Sequence, residues 1–373
     1  MKQLLLVTFA ILLLSQTARS ETQISLITCD KGDPSYATFG HTAIRVIDSE
    51  KKTDLVYNFG IFQFNTPNFV YKFVKGKLNY RLGVHETALF MRMYEHENRT
   101  VWEQQLHIDP VITDKIIDTL NYLYLPENRN YLYHFLEKNC TTEARDIIFN
   151  MLPDEYKPKI HPTDSTYRDI LNQYLTHKKW TQAVINIIMG ANIDRPINSY
   201  EAMALPTTLM NGITRINNQR RGIIGSTTVI HQGKASTQTF KWWSPLVAFI
   251  LLALAWIAVR KPIFSYAIWL PIGLIGLLIP ALWIISDHVE LQNNWNILWI
   301  NPLYLAIIIA GIRRKVKLQQ KLAGIVGIST LISVALHLTG FQHIHYSLWP
   351  LLIVLFLTCV NIYYIHWQKG ITS

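Results

Sequence analysis

Residues 41–62, HTAIRVIDSEKKTDLVYNFGIF, decide the class of the N-terminal half. HTAIRVID alternates apolar with polar residues, SEKKT is a polar turn, and DLVYNFGIF resumes a strand-like run, so the stretch reads as a β-hairpin. Working outward, Ile24–Thr28 alternates in the same way, and the loop CDKGDPSYATFG joins it to the hairpin. Further short strands are predicted near 69–84 and 100–108. Helices are predicted at 110–124 after the Asp109-Pro110 start, at 140–152 from Cys140, at 163–176 and at 200–209. Strands first, with helices packed on them, make an α+β domain.

The chain has 373 residues, half of them apolar and 16% charged, which is too apolar for disorder. Its formal charge of +10 suggests a nucleic-acid binder until the chain is divided at Lys241. Residues 1–240 carry 26 Lys and Arg against 23 Asp and Glu, whereas 241–373 carry 9 against 2, scattered between long apolar runs. Basic residues in that setting orient membrane spans and do not track phosphates, so nucleic-acid binding is set aside.

Residues 1–20 read as a secretory signal: Lys2, the apolar run Leu4 to Leu14, and Ala18-Arg19-Ser20 as the cleavage site. An uncleaved anchor helix is the alternative, and either exports residues 21–210 as one domain. The stretch 211–241 is rich in Gly, Ser, Thr, Asn and Gln and reads as a linker, a tether or hairpin. Residues 242–368 then hold five apolar segments, near 243–259, 263–286, 297–312, 322–340 and 347–367, most of them approaching the ~20 residues that a bilayer requires. This predicts an all-α five-helix transmembrane bundle. Arg260-Lys261 and the group Arg313, Arg314, Lys315, Lys317 and Lys321 fill two loops, while 287–296 and 340–346 have no Lys or Arg. The positive-inside rule puts the charged loops and the C-terminus in the cytoplasm and the exported domain outside, as the signal also requires.

Two residues of the exported domain stand out by position. His41 opens a strand after Phe39-Gly40, and Cys140 opens a helix after Asn139, a plausible N-cap, with Glu143 in the first turn. A thiol at a helix N-terminus is favoured as thiolate, and a strand-borne His would serve it as base and acid. By spacing alone the pair reads better as a buried helix cysteine and a satisfied strand-edge histidine. Cys29 and Cys140 are either free thiols or partners of one another, and Cys359 lies in an apolar run. The three cysteines offer no metal spacing.

The runs LITCDKGDPSYATFGHTAIRV, DLVYNFGIFQFNTPNFVYKFVKGKLNYRL, LPENRNYLYHFLEKNCTTEARDII and GANIDRPINSYEAMALPTTLM, with the five-segment tail, resemble the Lnb family of bacterial lipoprotein N-acyltransferases. The resemblance covers nearly all of the chain after residue 20. It implies an exported domain of the permuted papain-like kind, NlpC/P60 and lecithin-retinol-acyltransferase type, with a strand His preceding a helix-start Cys. It further implies acyl transfer from a membrane phospholipid, through a Cys140 thioester, to the α-amine of a diacylated lipoprotein, with His41 moving the proton and no cofactor. In such domains the residue orienting the His lies on the following strand, where Asn58 stands, although a one-residue slip in register would turn it away.

Tyr36, Tyr131 and Tyr133 flank the two motifs, as lining of an acyl or head-group pocket or as core. In the outer loop, Asp287, His288 and the asparagine-rich run containing Asn294, beside Trp295 and Trp299, read either as a head-group site or as an ordinary polar loop with interfacial tryptophans. Two other functions fit the same residues: a papain-like hydrolase of the cell envelope, against which five spans argue, and a non-catalytic assembly factor, which would survive loss of Cys140.

Overall fold

The computed structural model describes residues 22–63, 65–154, 156–219, 222–234 and 243–371; the signal segment lies outside them. In chain order the elements are β1 (Gln23–Cys29), β2 (His41–Asp48), β3 (Thr53–Ile61), α1 (Phe69–Lys75), β4 (Asn79–Glu86), α2 (Thr87–His96), β5 (Val101–Leu106), α3 (Pro110–Tyr124), β6 (Asn130–Leu132) and α4 (Cys140–Met151). There follow β7 (Pro162–Thr166), α5 (Tyr167–Tyr174), α6 (Lys179–Ile188), β8 (Pro196–Asn198), α7 (Pro206–Gln219) and β9 (Ile224–His231). The apolar helices α8 (Pro245–Val259), α9 (Pro262–Ile285), α10 (Leu303–Ile312), α11 (Val316–Leu338) and α12 (Trp349–Ile371) complete the chain.

The chain sorts into two units whose connectivity interleaves. The first draws on residues through Asn65, on Asn79–His161 and on the stretch from Ser199 to the end of β9; the second on Thr66–Leu78, Pro162–Asn198 and the helices from α8 onward.

The first unit is α+β, built on a seven-stranded antiparallel sheet in the order β6-β4-β3-β2-β1-β5-β9. Side-chain alternation sends Ile24, Leu26, Ile44, Val46, Tyr57 and Phe59 to one face, where they pack with Ile116 and Leu120 of α3, Ala144 and Ile148 of α4 and Leu209 of α7. The other face carries Ile27, Cys29, Ala43 and Val56 against Phe90 and Tyr94 of α2. Both faces are covered, which is why β1 is buried along almost its whole length.

Two expectations are corrected here. FVYKFVK (69–75), predicted as strand, is a helix closed by Gly76 at φ +74°, with Gly76 N–H donating to Phe73 O at 3.0 Å and Lys77 N–H to Lys72 O at 2.8 Å. The linker predicted at 211–241 is, through residue 234, mostly regular structure: its first part finishes α7, and Ile224–His231 is the β9 edge strand on β5. Its polar composition misleads because the buried Gln104 amide donates to Thr214 Oγ1 at 2.9 Å and to Thr227 Oγ1 at 3.1 Å, so these threonines are internal partners. Within 21–210, Thr66–Leu78 and Pro162–Asn198 group with the apolar helices.

Among the described residues of the second unit, four stretches are long and apolar enough to cross a membrane, Pro262–Ile285, Val289–Ile312, Val316–Leu338 and Tyr346–Tyr363, and α8 is a shorter apolar helix. The predicted third segment is part helix, two 3-10 turns (Val289–Leu291 and Trp295–Leu298) preceding α10. The 162–198 segment pairs β7 with β8 and buries Arg168, whose guanidinium takes both carboxylate oxygens of Asp194 (2.6 and 2.9 Å), Asn186 Oδ1 (3.1 Å) and the carbonyls of Met189 and Gly190 (3.1 and 3.0 Å). Removing one partner strands a buried charge. Arg168→Leu is expected to destabilise the protein by about 3–5 kcal/mol, and Arg168→Leu with Asp194→Leu to recover part of that, in thermal unfolding of the detergent-solubilised chain. An unchanged melting temperature for the single variant would refute this.

The same segment is stitched to the loop after α9. Asn294 Nδ2 donates to the carbonyls of Ile187 and Ile188 at 2.9 and 2.8 Å, and its Oδ1 accepts from Asn296 N–H at 3.1 Å and Gln342 Nε2 at 3.2 Å. Asn294 is thus buried and fully engaged, a correction to its reading as a ligand-binding residue. Gly190 approaches so closely that a Cβ would lie 1.9 Å from Gln292 O.

Candidate active site

The site forms at the ends of β2 and β3, beside the start of α4. Gly40, at φ +81°, turns the chain into β2 where a Cβ would lie 2.6 Å from Cys29 O, and His41 then opens the strand opposite Cys29. Alternation places His41 with Ala43 and Asn58 with Val56, on the same face of the sheet. Asn58 Oδ1 lies 2.6 Å from His41 Nε2, which makes Nε2–H the donor and leaves Nδ1 for a second partner.

Cys140 comes from the helix that packs on the other face. Asn139 caps that helix, its Oδ1 accepting from the amides of Thr141 and Thr142 at 2.8 and 3.0 Å while its Nδ2 donates to the carbonyls of Phe135 and Ala204. Thr142 Oγ1 accepts from Asn139 N–H at 2.8 Å and closes a capping box; this partner is Thr142, one residue before Glu143. The buried hydroxyls of Thr42 and Thr141 meet at 3.0 Å and tie β2 to the first turn of α4. His41 and Cys140 are thereby neighbours, each partly open to solvent.

The electrostatics bear on both groups. Burial acts to raise the Cys140 thiol, but the His41 imidazolium, with help from the Thr42 amide and Thr141 hydroxyl, outweighs it and holds the thiol below its ordinary value. Burial acts to lower His41, and the Cys140 thiolate with the Asn58 oxygen outweighs that, so the imidazole stands above its ordinary value. Each group is thus a cause of the other's shift. Cys29 differs: it is a fully buried free thiol that burial pushes up to about 12. Cys140 is also a free thiol, so the two are not joined.

Sequence reasoning missed Gly60. At φ +94° it faces the pair, and a Cβ there would sit 3.6 Å from Cys140 Cβ and 3.7 Å from His41 Cε1. It leaves the approach to the thiol bare, and the signal for it was the Asn-Phe-Gly run in β3, where a strand glycine marks a bulge or a close approach.

Of the tyrosines, Tyr131 packs against the core cluster that also holds Cys140 and lies opposite Tyr80 in the β4–β6 pairing. Burial raises both phenols, and the Cys140 thiolate adds to it. Tyr133 stacks on Tyr80 with ring centroids 4.4 Å apart, so Tyr80, Tyr131 and Tyr133 form one aromatic group. Tyr36 is apart from that group, 57% exposed with its hydroxyl donating to Glu97 Oε1 at 3.0 Å. Asp287, His288 and Asn294 belong to the second unit: Asp287 pairs with Lys77 at 2.6 Å, and His288 Nε2 donates to Phe73 O at 2.9 Å. A cavity of about 440 Å³ lined by His107, Ile112, Leu152 and Tyr156 lies at the far end of α4 from Cys140 and is no part of the site.

Two comparisons with known families cover most of the chain. Residues 12–173 match the Lnb N-terminal periplasmic domain, and residues 236–370 match the Lnb transmembrane domain. No curated protein and no solved structure matches the chain.

Proposed function

Because the chain belongs to the Lnb family, an inner-membrane protein with a periplasmic domain and a transmembrane region, we propose that it is a lipoprotein N-acyltransferase with Cys140 as nucleophile. The observation that carries the reading is the geometry: Cys140 at a capped helix N-terminus beside His41, with Asn58 on the far ring nitrogen. Cys140 Sγ attacks the ester carbonyl carbon of a phospholipid. The C–O bond breaks, and the proton held on His41 Nδ1 goes to the departing lysophospholipid oxygen. The α-amine of a diacylated lipoprotein cysteine then attacks the thioester, gives a proton to His41, and releases the thiolate. A thioester suits this because amines attack it far more readily than an oxygen ester.

Asn139 caps the amides of Thr141 and Thr142 and leaves that of Cys140 uncapped, so the Cys140 N–H is our candidate for the donor that stabilises the carbonyl oxygen in each tetrahedral intermediate. Tyr131 and Tyr133 would border the acyl chain. The test is expression in a strain that cannot N-acylate its lipoproteins, with mass spectrometry of lipoprotein N-termini. A third acyl chain is expected; N-termini that stay diacylated would remove the reading.

We also propose five crossings with the C-terminus in the cytoplasm. Trp180 Nε1 donates to Trp243 O at 2.9 Å, and the carbonyls of Ile187 and Ile188 hold Asn294, so both ends of the α8–α9 pair meet α6. With residues 243 and 286 on one side, α8 must cross although its 15 residues span only about 22 Å. Reporter fusions are expected to place residue 290 outside and 315 inside; a cytoplasmic reporter signal at 290 would contradict the assignment.

A further inference from the structure

The second unit carries an element that neither the dyad nor the spans require. Helix α1 exposes Val70 (71%) and Tyr71 (56%), carries Lys72 and Lys75, and lies in a segment, Thr66–Leu78, that has no Asp or Glu. Its C-terminal carbonyls are taken by the three residues that follow α9. Ser286 Oγ donates to Val74 O at 2.5 Å, His288 Nε2 to Phe73 O at 2.9 Å and Asp287 N–H to Lys75 O at 3.1 Å, while Lys77 pairs with Asp287. Gly76 permits the approach, since a Cβ there would lie 3.1 Å from Asp287 Cβ.

This fixes α1 within one turn of the end of a membrane span. Aromatic pairs gather at that end of α9: Trp283 with Trp295 at 6.1 Å and Trp295 with Phe341 at 6.4 Å. Tryptophans collect where hydrocarbon meets head groups. A helix at that depth that shows an aliphatic and an aromatic side chain, with lysines whose stems can reach toward phosphate, has the composition of an interfacial helix.

We propose that α1 lies in the outer leaflet, with Val70 and Tyr71 among the upper acyl carbons and Lys72 and Lys75 on anionic head groups. The partner surface is a phospholipid bilayer containing phosphatidylglycerol. Charge complementarity and the fixed depth of α1 at the end of α9 favour this over a protein partner.

The test uses the full chain carrying Cys140→Ala, in which Cys29 and Cys359 are buried, with a single NBD label at Val70→Cys or Tyr71→Cys. A label at Lys51→Cys, in the exposed turn between β2 and β3, is the reference. In nanodiscs of phosphatidylethanolamine and phosphatidylglycerol, emission at 70 and 71 is expected to shift to the blue. Quenching there by lipids doxyl-labelled near the head group should be about twofold or more that at 51. It should grow with phosphatidylglycerol content, and Lys72→Glu with Lys75→Glu should remove that dependence. Labels at both 70 and 71 that respond to aqueous iodide as the label at 51 does would overturn the proposal. So would labels shielded from both iodide and doxyl lipid, which would mark a protein-covered face. Indifference to phosphatidylglycerol would overturn the head-group assignment. None of these readouts depends on acyl transfer, so failure here leaves the proposed reaction untouched, and the reverse.

Discussion

Cys140→Ala is expected to abolish N-acylation, a loss of about 10⁴-fold or more, because no thioester can form without the sulfur. Protein abundance should stay near normal. Asn139, not Cys140, caps α4, and the two amides it binds keep their partner in the variant. Cys140→Ser should be nearly as inactive, since His41 is matched to a thiol and a hydroxyl at the same place would remain protonated. Cys29→Ala is the control: a buried thiol with a pKa near 12 has almost no thiolate to offer, so most activity should remain. Mass spectrometry of lipoprotein N-termini reads all three. Survival of activity in Cys140→Ala would leave only a non-catalytic role for the domain.

The second large effect is His41→Ala, with an expected loss of about 10²–10⁴-fold in turnover. Its pH signature is more specific than the loss itself. In the parent the His41 imidazolium holds the thiol below its ordinary value, so Cys140 should react with small alkylating agents below the ordinary thiol range. Without His41 the largest remaining influence is burial, which disfavours the thiolate, so the alkylation profile should move to higher pH. Asn58→Ala keeps the ring and loses only its anchor on Nε2; about 10–10²-fold is expected, with a smaller movement of the profile. An alkylation profile that is the same in His41→Ala as in the parent would mean that the two residues are not a pair.

Much of this was legible because local patterns and tertiary needs agreed. The β2–β3 hairpin, α3 behind Asp109-Pro110 and α4 behind Asn139 each carry their own start signals, and each lies within a few residues of its expected place. Where two periods fit one run, the reading failed: FVYKFVK alternates like a strand, yet Gly76 and the residues 286–288 settle it as a helix. Thr214 and Thr227 look like part of a tether because sequence does not disclose that the buried Gln104 needs hydroxyls as acceptors. In the site, position singled out His41 and Cys140 and the family resemblance paired them, but what holds them together was hidden. The Thr42–Thr141 bridge spans 99 positions and Gly60 contributes by lacking a side chain, neither of which has a local signature. Asn294 misled for the opposite reason: an asparagine-rich loop suggests a ligand, and here it is consumed by backbone carbonyls.

The interleaved connectivity has a consequence for biogenesis. Ile187 waits for Asn294, 107 positions later, and Val74 waits for Ser286, 212 positions later. At the roughly 5–20 residues per second of synthesis, the first of these gaps lasts about 5–20 s, during which the carbonyls of Ile187 and Ile188 lack the Asn294 amide. The excised piece 21–235 would carry that state permanently, with α1 and the Arg168 segment deprived of the loops that complete them. Under the proposed topology maturation is therefore coupled to insertion of α9: the last stitches of the exported chain are made only once α8 and α9 have both crossed and the end of α9 is back on the side from which α8 started.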